Sequence, residues 1–179
     1  GVAGRGCVGA RAACTGGGGC EIAVKPGSGA THGAVTVWET ILASKVGDGV
    51  VAGGLRARDS LRPEAGLCLY GNDLTDDTSP AEGSLAWVVA KRRRAEGPAA
   101  FVGADRVLSE LADKSRTRAR VGFTVDKGAP VREGVELVNA AGEAVGATTS
   151  GGFSPGLKKG IGMAYVKIGN QKSGTALKA

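Results

Sequence analysis

The stretch LRPEAGLCLYGNDL, residues 61–74, decides how this chain is read. It runs apolar through Leu61, Leu67 and Leu69, then turns polar at Tyr70, Gly71 and Asn72. That pattern reads as a helix end feeding a turn. It contains neither metal-ligand spacing nor an activated nucleophile. RARDS (56–60) stands before it and SPAEGSLAWVVAKRRR (79–94) follows. The segment ARDSLRPEAGL (57–67) reads as the helix itself, starting near Asp59 or Ser60. Pro63 is tolerated in a first turn, whereas deeper in a helix it costs about 3 kcal/mol.

Further upstream, CEIAVKP (20–26) sets Ile22 and Val24 on one face and reads as a strand ending at Pro26. THGAVTVWETILASK (31–45) places Val35, Trp38, Ile41 and Leu42 at helical spacing. This assigns Trp38 to the core and makes Thr31 the N-cap. GVVAGGL (49–55) reads as a short buried strand. Strand, helix, strand and helix thus fill residues 20–67. Downstream, GPAAFVGADRVLSELADKS (97–115) holds a helix at 103–112 with Val107, Leu108 and Leu111 facing inward. After residue 116 the texture changes to short Val-rich segments, RARVGFTV, VELVNAAGEAVGATTS and GIGMAYVKI. NAAGEA (139–144) is a turn between two of their strands. This is a small all-β module, a barrel or sandwich. The fold class is α+β, with the boundary in DKSRTR at about 113–117, separating a region 1–115 from a region 116–179.

The composition narrows the field. Aromatic residues are 4% of the 179, so Val, Ala, Leu and Ile must build the core. The apolar runs fall short of the ~20 residues of a membrane span, and no membrane partner is expected. The net charge of +6 favours an anionic partner or a solvated basic surface. The densest basic run, KRRR (91–94), has no interleaved aromatic residues, and helix-turn-helix and zinc-finger spacings are absent, so no nucleic acid is expected. Cys7, Cys14, Cys20 and Cys68 form no CxxC pair and His32 is the single histidine, which argues against a metal site. The cysteines read as free thiols in a reducing compartment. The opening GVAGRGCVGARAACTGGGGC has the basic, acid-free bias of a transit peptide, but little Ser and no amphipathic stripe. A start inside a longer polypeptide accounts for it better.

Several segments together resemble one family. GLRARDSLRPEAGLCLYGNDLTDDTSPAEGSLAWVVAKRRR (54–94) closely resembles the T-protein of the glycine cleavage system, a folate-dependent aminomethyltransferase, and LCLYGND and KRRR are nearest its mitochondrial form. GEAVGATTSGGFSPGLKKGIGMAYV (142–166) resembles the signature of that family's C-terminal barrel, with its S-G-x-x-S-P-x-L-x-K core. CTGGGGCEI (14–22) resembles the family's Y-T-G-E-D-G-x-E-I, with Cys14, Gly17 and Gly18 in place of its Tyr, Glu and Asp. The resemblance implies part of a folate-binding α/β-sandwich domain over 1–115 and a truncated barrel domain over 116–179. It also implies a start within the second half of the folate-binding region. The family's catalytic aspartate then falls outside the chain, no residue here takes that role, and the chain alone is expected to be inactive.

The resemblance assigns three substrate-binding residues. Glu21 matches the family's pterin-binding glutamate, and one carboxylate can accept the two adjacent donors of a pterin edge. Arg58 matches a folate-contacting arginine, whose guanidinium forks onto the glutamyl carboxylate. Arg62 is its local competitor. Trp87 matches the tryptophan of G-S-L-x-W near the folate, where an indole can pack on a flat ligand. Leu61, Leu67 and Leu69 are expected to back the site. The implied co-substrate is tetrahydrofolate, the implied partner is the lipoyl-carrying H-protein, for which KRRR is a candidate contact, and the implied setting is a mitochondrial monomer. The alternative is a non-enzymatic folate-binding or iron–sulfur assembly relative of the same fold, which the altered glycine run at 16–19 favours. A basic nucleic-acid-associated protein is a third and weaker option.

Overall fold

The computed structural model describes residues 6–12, 14–25, 30–44, 49–94, 101–112 and 115–179. The chain forms two compact units, one ending at Ala65 and the other beginning at Gly66. Both helices and antiparallel sheet are present, so the class is α+β. Pro26 and the first two residues of DKSRTR lie outside the described residues.

In the first unit, β1 (Cys7–Ala12) pairs antiparallel with β2 (Gly19–Val24), Cys7 opposite Val24 and Ala12 opposite Gly19. The sequence reading found β2 and missed β1. CVGARA shows no apolar alternation, and its ladder to β2 supplies what local propensity does not. Helix α1 spans Ala30–Leu42 and α2 spans Leu55–Glu64. The helix α1 begins at Ala30, so Thr31 is inside it and is not the N-cap.

Three further expectations in this unit are corrected. Trp38 is 54% exposed, and Val35 faces outward with it. The inward face carries Gly33 and Val37 instead. A methyl at Gly33 would meet Val24 of β2 at 3.9 Å, so the helix seats on the strand through its smallest residue. Residues 49–54 are not a strand, and Val51 is exposed. A short apolar run without a partner for its backbone does not decide between strand and loop. Pro63 is the ninth of ten residues of α2, not in its first turn. Its missing N–H forfeits only a bond to the Asp59 carbonyl, and Ala65 N–H closes the helix onto Leu61 at 3.2 Å. The helix therefore starts at Leu55, and Leu61 is exposed rather than buried.

The second unit holds α3 (Ala104–Ala112) and four antiparallel strands, β3 (Arg118–Val125), β4 (Glu136–Val138), β5 (Ala144–Ser154) and β6 (Lys159–Lys167). They are ordered β3-β6-β5-β4. The helix α3 matches the expected 103–112 and buries Val107, with Leu108 and Leu111 half-buried. The sheet core is Leu137, Val145, Ala164 and Val166, with Val121, Phe123 and Leu177 against it. Central strand β6 is buried from Gly160 to Val166, which explains its continuous apolar run. NAAGEA is the β4–β5 turn. The Asn139 side-chain oxygen accepts from the N–H groups of Ala141 and Glu143, and Gly142 adopts φ +82°.

The β5–β6 ladder shifts register between Thr148 and Ser150, leaving Thr149 as an extra residue. Close backbone approach also fixes composition on β6. A methyl at Gly162 would collide with the Phe123 ring and the Ser150 carbonyl, whereas nothing lies within 4 Å of one at Gly152 on β5. Gly162→Ala is therefore expected to lower stability by about 2 kcal/mol in urea unfolding, while Gly152→Ala changes it by under about 0.5 kcal/mol. Equal effects of the two would show that this packing does not set the glycine.

Candidate functional site

Glu21 stands on β2 opposite Ala10, and the 14–18 turn precedes that strand. It is exposed, and the Cys14 thiol donates to its Oε1 at 3.4 Å. The turn is tight because Gly16 takes φ +86°, which favours glycine. A methyl on Gly16 would lie 2.5 Å from Ala65 Cβ, so the turn rests against the residue that ends α2. Arg58 sits in the first turns of the same helix, exposed and without a side-chain partner among the described residues. Arg58 stands seven positions before Ala65, the C-cap of α2, about 10 Å along the axis. The first unit thus presents an exposed carboxylate on β2 and an exposed guanidinium on α2.

The competitor Arg62 is excluded from solvent. It is 4% exposed and its Nε binds Asp59 Oδ1 at 2.9 Å. Asp59 pairs with Arg62 and not with Arg58. Removing a partner from a buried charge is costly, so this pair holds the helix together rather than serving a ligand.

In the second unit, residues 66–94 form an irregular loop tied to the sheet through Asp73, which is 1% exposed. Asp73 Oδ1 accepts from the Thr149 hydroxyl at 2.6 Å and the Ser150 hydroxyl at 2.9 Å. Its Oδ2 accepts from Leu69 N–H at 2.9 Å. Neighbouring strand residues normally point to opposite faces. The extra residue in β5 lets Thr149 and Ser150 reach one oxygen. The Tyr165 hydroxyl donates to the Asp73 carbonyl at 2.8 Å, and burial above all pushes its phenol up to about 12.

A second cluster surrounds Glu82, whose side chain is 9% exposed. It binds Arg118 at 2.9 Å and Arg106 at 3.4 Å, and accepts from Ser79 N–H at 3.1 Å. Arg106 also binds Glu110 at 2.8 Å, and the Ser79 hydroxyl donates to the same carboxylate. Burial pushes the Glu110 carboxyl up, but the Ser79 hydroxyl and Arg106 outweigh it, and the net shift is downward. Arg118 lies over the Tyr165 ring, 4.8 Å from its centre.

Trp87 belongs to this unit, in a 3-10 turn spanning Ala86–Val88, and is 73% exposed. Core packing does not hold its indole. KRRR follows as a second 3-10 turn, Lys91–Arg93, with all four cations on the surface. Arg94 bends back, its Nε donating to the Val89 carbonyl at 2.8 Å and its Nη2 to that of Ala86. Leu67 and Leu69 are half-buried, and Tyr70–Asn72 make the expected turn, with Gly71 at φ +94°. Asp73 and Arg94 escaped the sequence reading. The cue for Asp73 was an acid directly after a Gly-Asn turn and before an apolar residue. Nothing local signals which member of KRRR folds back.

Among the described residues none of the four cysteines is in a disulfide, and no group of three or more metal-ligating side chains occurs. None of their helices is long and apolar enough to cross a membrane. Asp73→Ala leaves a buried N–H and two hydroxyls without their acceptor, at about 1–3 kcal/mol each before relaxation. The expected loss in urea unfolding is about 3 kcal/mol or more, with Asp73→Asn intermediate. A loss under about 1 kcal/mol would show that Asp73 does not tie the loop to the sheet.

The family model described as "GCVT N-terminal domain" matches residues 1–93, and that described as "Glycine cleavage T-protein C-terminal barrel domain" matches 118–179. The chain is 49% identical over 168 residues to "Aminomethyltransferase, mitochondrial" of Flaveria anomala, covering 94% of this chain and 39% of that protein. It is 43% identical to the protein of the same name from Dictyostelium discoideum, covering 97% and 42%. A crystal structure of glycine cleavage system aminomethyltransferase T from Bartonella henselae matches with a TM-score of 0.83 and 38% identity, covering 94% of this chain and 44% of that one. The chain spans about two fifths of the length of these relatives.

Proposed function

Because the chain belongs to the glycine cleavage T-protein family, we propose that it carries substrate-binding parts of a mitochondrial, tetrahydrofolate-dependent aminomethyltransferase. The observation that carries this reading is that family models for both parts of the T-protein match this chain, with Glu21 exposed on β2 and Arg58 exposed on α2 without a side-chain partner among the described residues. A ligand with hydrogen-bond donors at one end and a carboxylate at the other suits an exposed carboxylate and an exposed guanidinium. Glu21 accepts from the pterin edge, Arg58 binds the glutamyl carboxylate, and Trp87 packs on the folate ring system. We place the boundary between the folate-binding and barrel domains at 115/116. Its support is that the two family models end at 93 and begin at 118.

In the proposed reaction the aminomethyl group arrives on the dihydrolipoyl arm of the H-protein. Tetrahydrofolate takes the one-carbon unit, leaving methylenetetrahydrofolate, ammonia and the dihydrolipoyl carrier. The residues named here bind and orient. Holding two bulky reactants in register is itself a large share of such catalysis. Lys91 and Arg93 face the acidic carrier.

Calorimetric titration with tetrahydrofolate tests the folate assignment. Saturable binding by the wild-type protein, lost in Glu21→Ala, is the expected result. A folded wild-type protein that binds no folate would instead favour the non-enzymatic relative, since Gly17 and Gly18 replace two acids of the family's turn. Reversal of Lys91 and Arg93 to Glu is expected to weaken H-protein binding at least tenfold at low salt and less at high salt. Unchanged affinity at low salt would remove this surface as the docking site.

A further inference from the structure

We infer that Arg94 is a positioning residue that holds Trp87 in place for the folate ring system, an inference that rests on the folate reading of Trp87 above. Trp87 is the middle residue of an isolated 3-10 turn and is 73% exposed. Packing therefore contributes little to fixing it. The turn's own hydrogen bonds are few, Val88 N–H to Leu85 at 3.0 Å and Val89 N–H to Ala86 at 3.1 Å. Arg94 adds two more from one rigid group. Its Nε donates to the Val89 carbonyl at 2.8 Å and its Nη2 to the Ala86 carbonyl. These carbonyls bracket Trp87, one residue before it and two after. A planar guanidinium fixes the distance between two acceptors in a way an ammonium cannot.

The second 3-10 turn delivers Arg94 to this position. Arg93 N–H bonds Ala90 at 2.8 Å and Arg94 N–H bonds Lys91 at 3.0 Å, so the chain reverses within the basic run. Val89, buried between the turns, anchors the reversal. The last cation of KRRR is thus committed to the backbone, and the run is a clamp at one end and a charged surface at the other. A flat ligand gains from an indole only if that indole is ordered before binding.

The test uses the full chain in a Trp38→Phe background, which leaves Trp87 as the sequence's only tryptophan. Tetrahydrofolate is expected to change Trp87 emission on saturation. Arg94→Ala should raise the Kd about three- to tenfold and lower the anisotropy of Trp87 in the free protein. The melting midpoint should stay within about 2 °C. Arg94→Lys, which keeps the charge, should behave like Arg94→Ala. Full rescue by Arg94→Lys would show that charge rather than the fork matters and would overturn the inference, as would wild-type affinity and anisotropy in Arg94→Ala. If Arg94→Ala fails to fold, Arg94→Gln, which can reach one carbonyl, is read by the same criteria. Trp87→Ala separates the two levels. If it leaves affinity unchanged, Trp87 is not in the folate site and both readings fall. If it weakens binding while Arg94→Ala does not, only the role of Arg94 falls.

Discussion

The buried carboxylate of Asp73 is the constraint on which the second unit depends. An uncompensated charge in that position would be strongly unfavourable. Its oxygens are matched by the Thr149 and Ser150 hydroxyls from β5 and the Leu69 N–H from the loop itself. The match requires the extra residue at Thr149, since a regular strand would turn one hydroxyl away. It also requires the Gly71 turn, which brings Asp73 N–H back onto the Leu69 carbonyl at 2.8 Å. A single acidic side chain thereby couples a bulge in the sheet to the course of a long loop, and the loop in turn carries Trp87 and the basic run.

Much of the fold was legible where a pattern and its physical cause coincide. The apolar run GIGMAYV became the buried central strand β6, and NAAGEA became a turn closed by Asn139. The amphipathic α3 formed where its spacing put it. Other elements were not legible because partners rather than local pattern decide them. GVVAGGL has strand composition but pairs with no strand among the described residues, while CVGARA lacks strand composition and is paired. On α1 the periodicity was right and the face was off, because Gly33 permits a closer approach to β2 than Trp38 does. At the candidate site, Glu21, Arg58 and Trp87 came from the family resemblance and all three are exposed. Asp73 was invisible as more than a turn residue because its partners lie 76 and 77 positions away.

In this chain Cys14 holds Glu21. Where the family has a tyrosine, Cys14 offers a thiol, and the thiol donates to Glu21 at 3.4 Å. A thiol is a weak donor beside a phenol. The thiol therefore orients the carboxylate only lightly. Replacing acids by Gly17 and Gly18 takes two charges from the turn, so like-charge repulsion near Glu21 falls while backbone freedom rises. These effects oppose each other for a ligand, and the sheet register, with Glu21 fixed opposite Ala10, limits how far the looser turn can displace the carboxylate.

Four of the 23 basic residues have a structural task that the net charge does not reveal. Residues 66–94 lack strands and α-helix, so their carbonyls have few ladder partners. Arginines fill that role. Arg120 donates to the carbonyls of Gly83 and Gly66, Arg116 to that of Ala81, Arg106 to that of Asp77, and Arg94 to those of Val89 and Ala86. Each guanidinium offers five donors in a fixed fork, which suits bridging carbonyls that no regular element aligns. Four of the 23 basic residues are thus placed by the needs of an irregular loop rather than by a ligand.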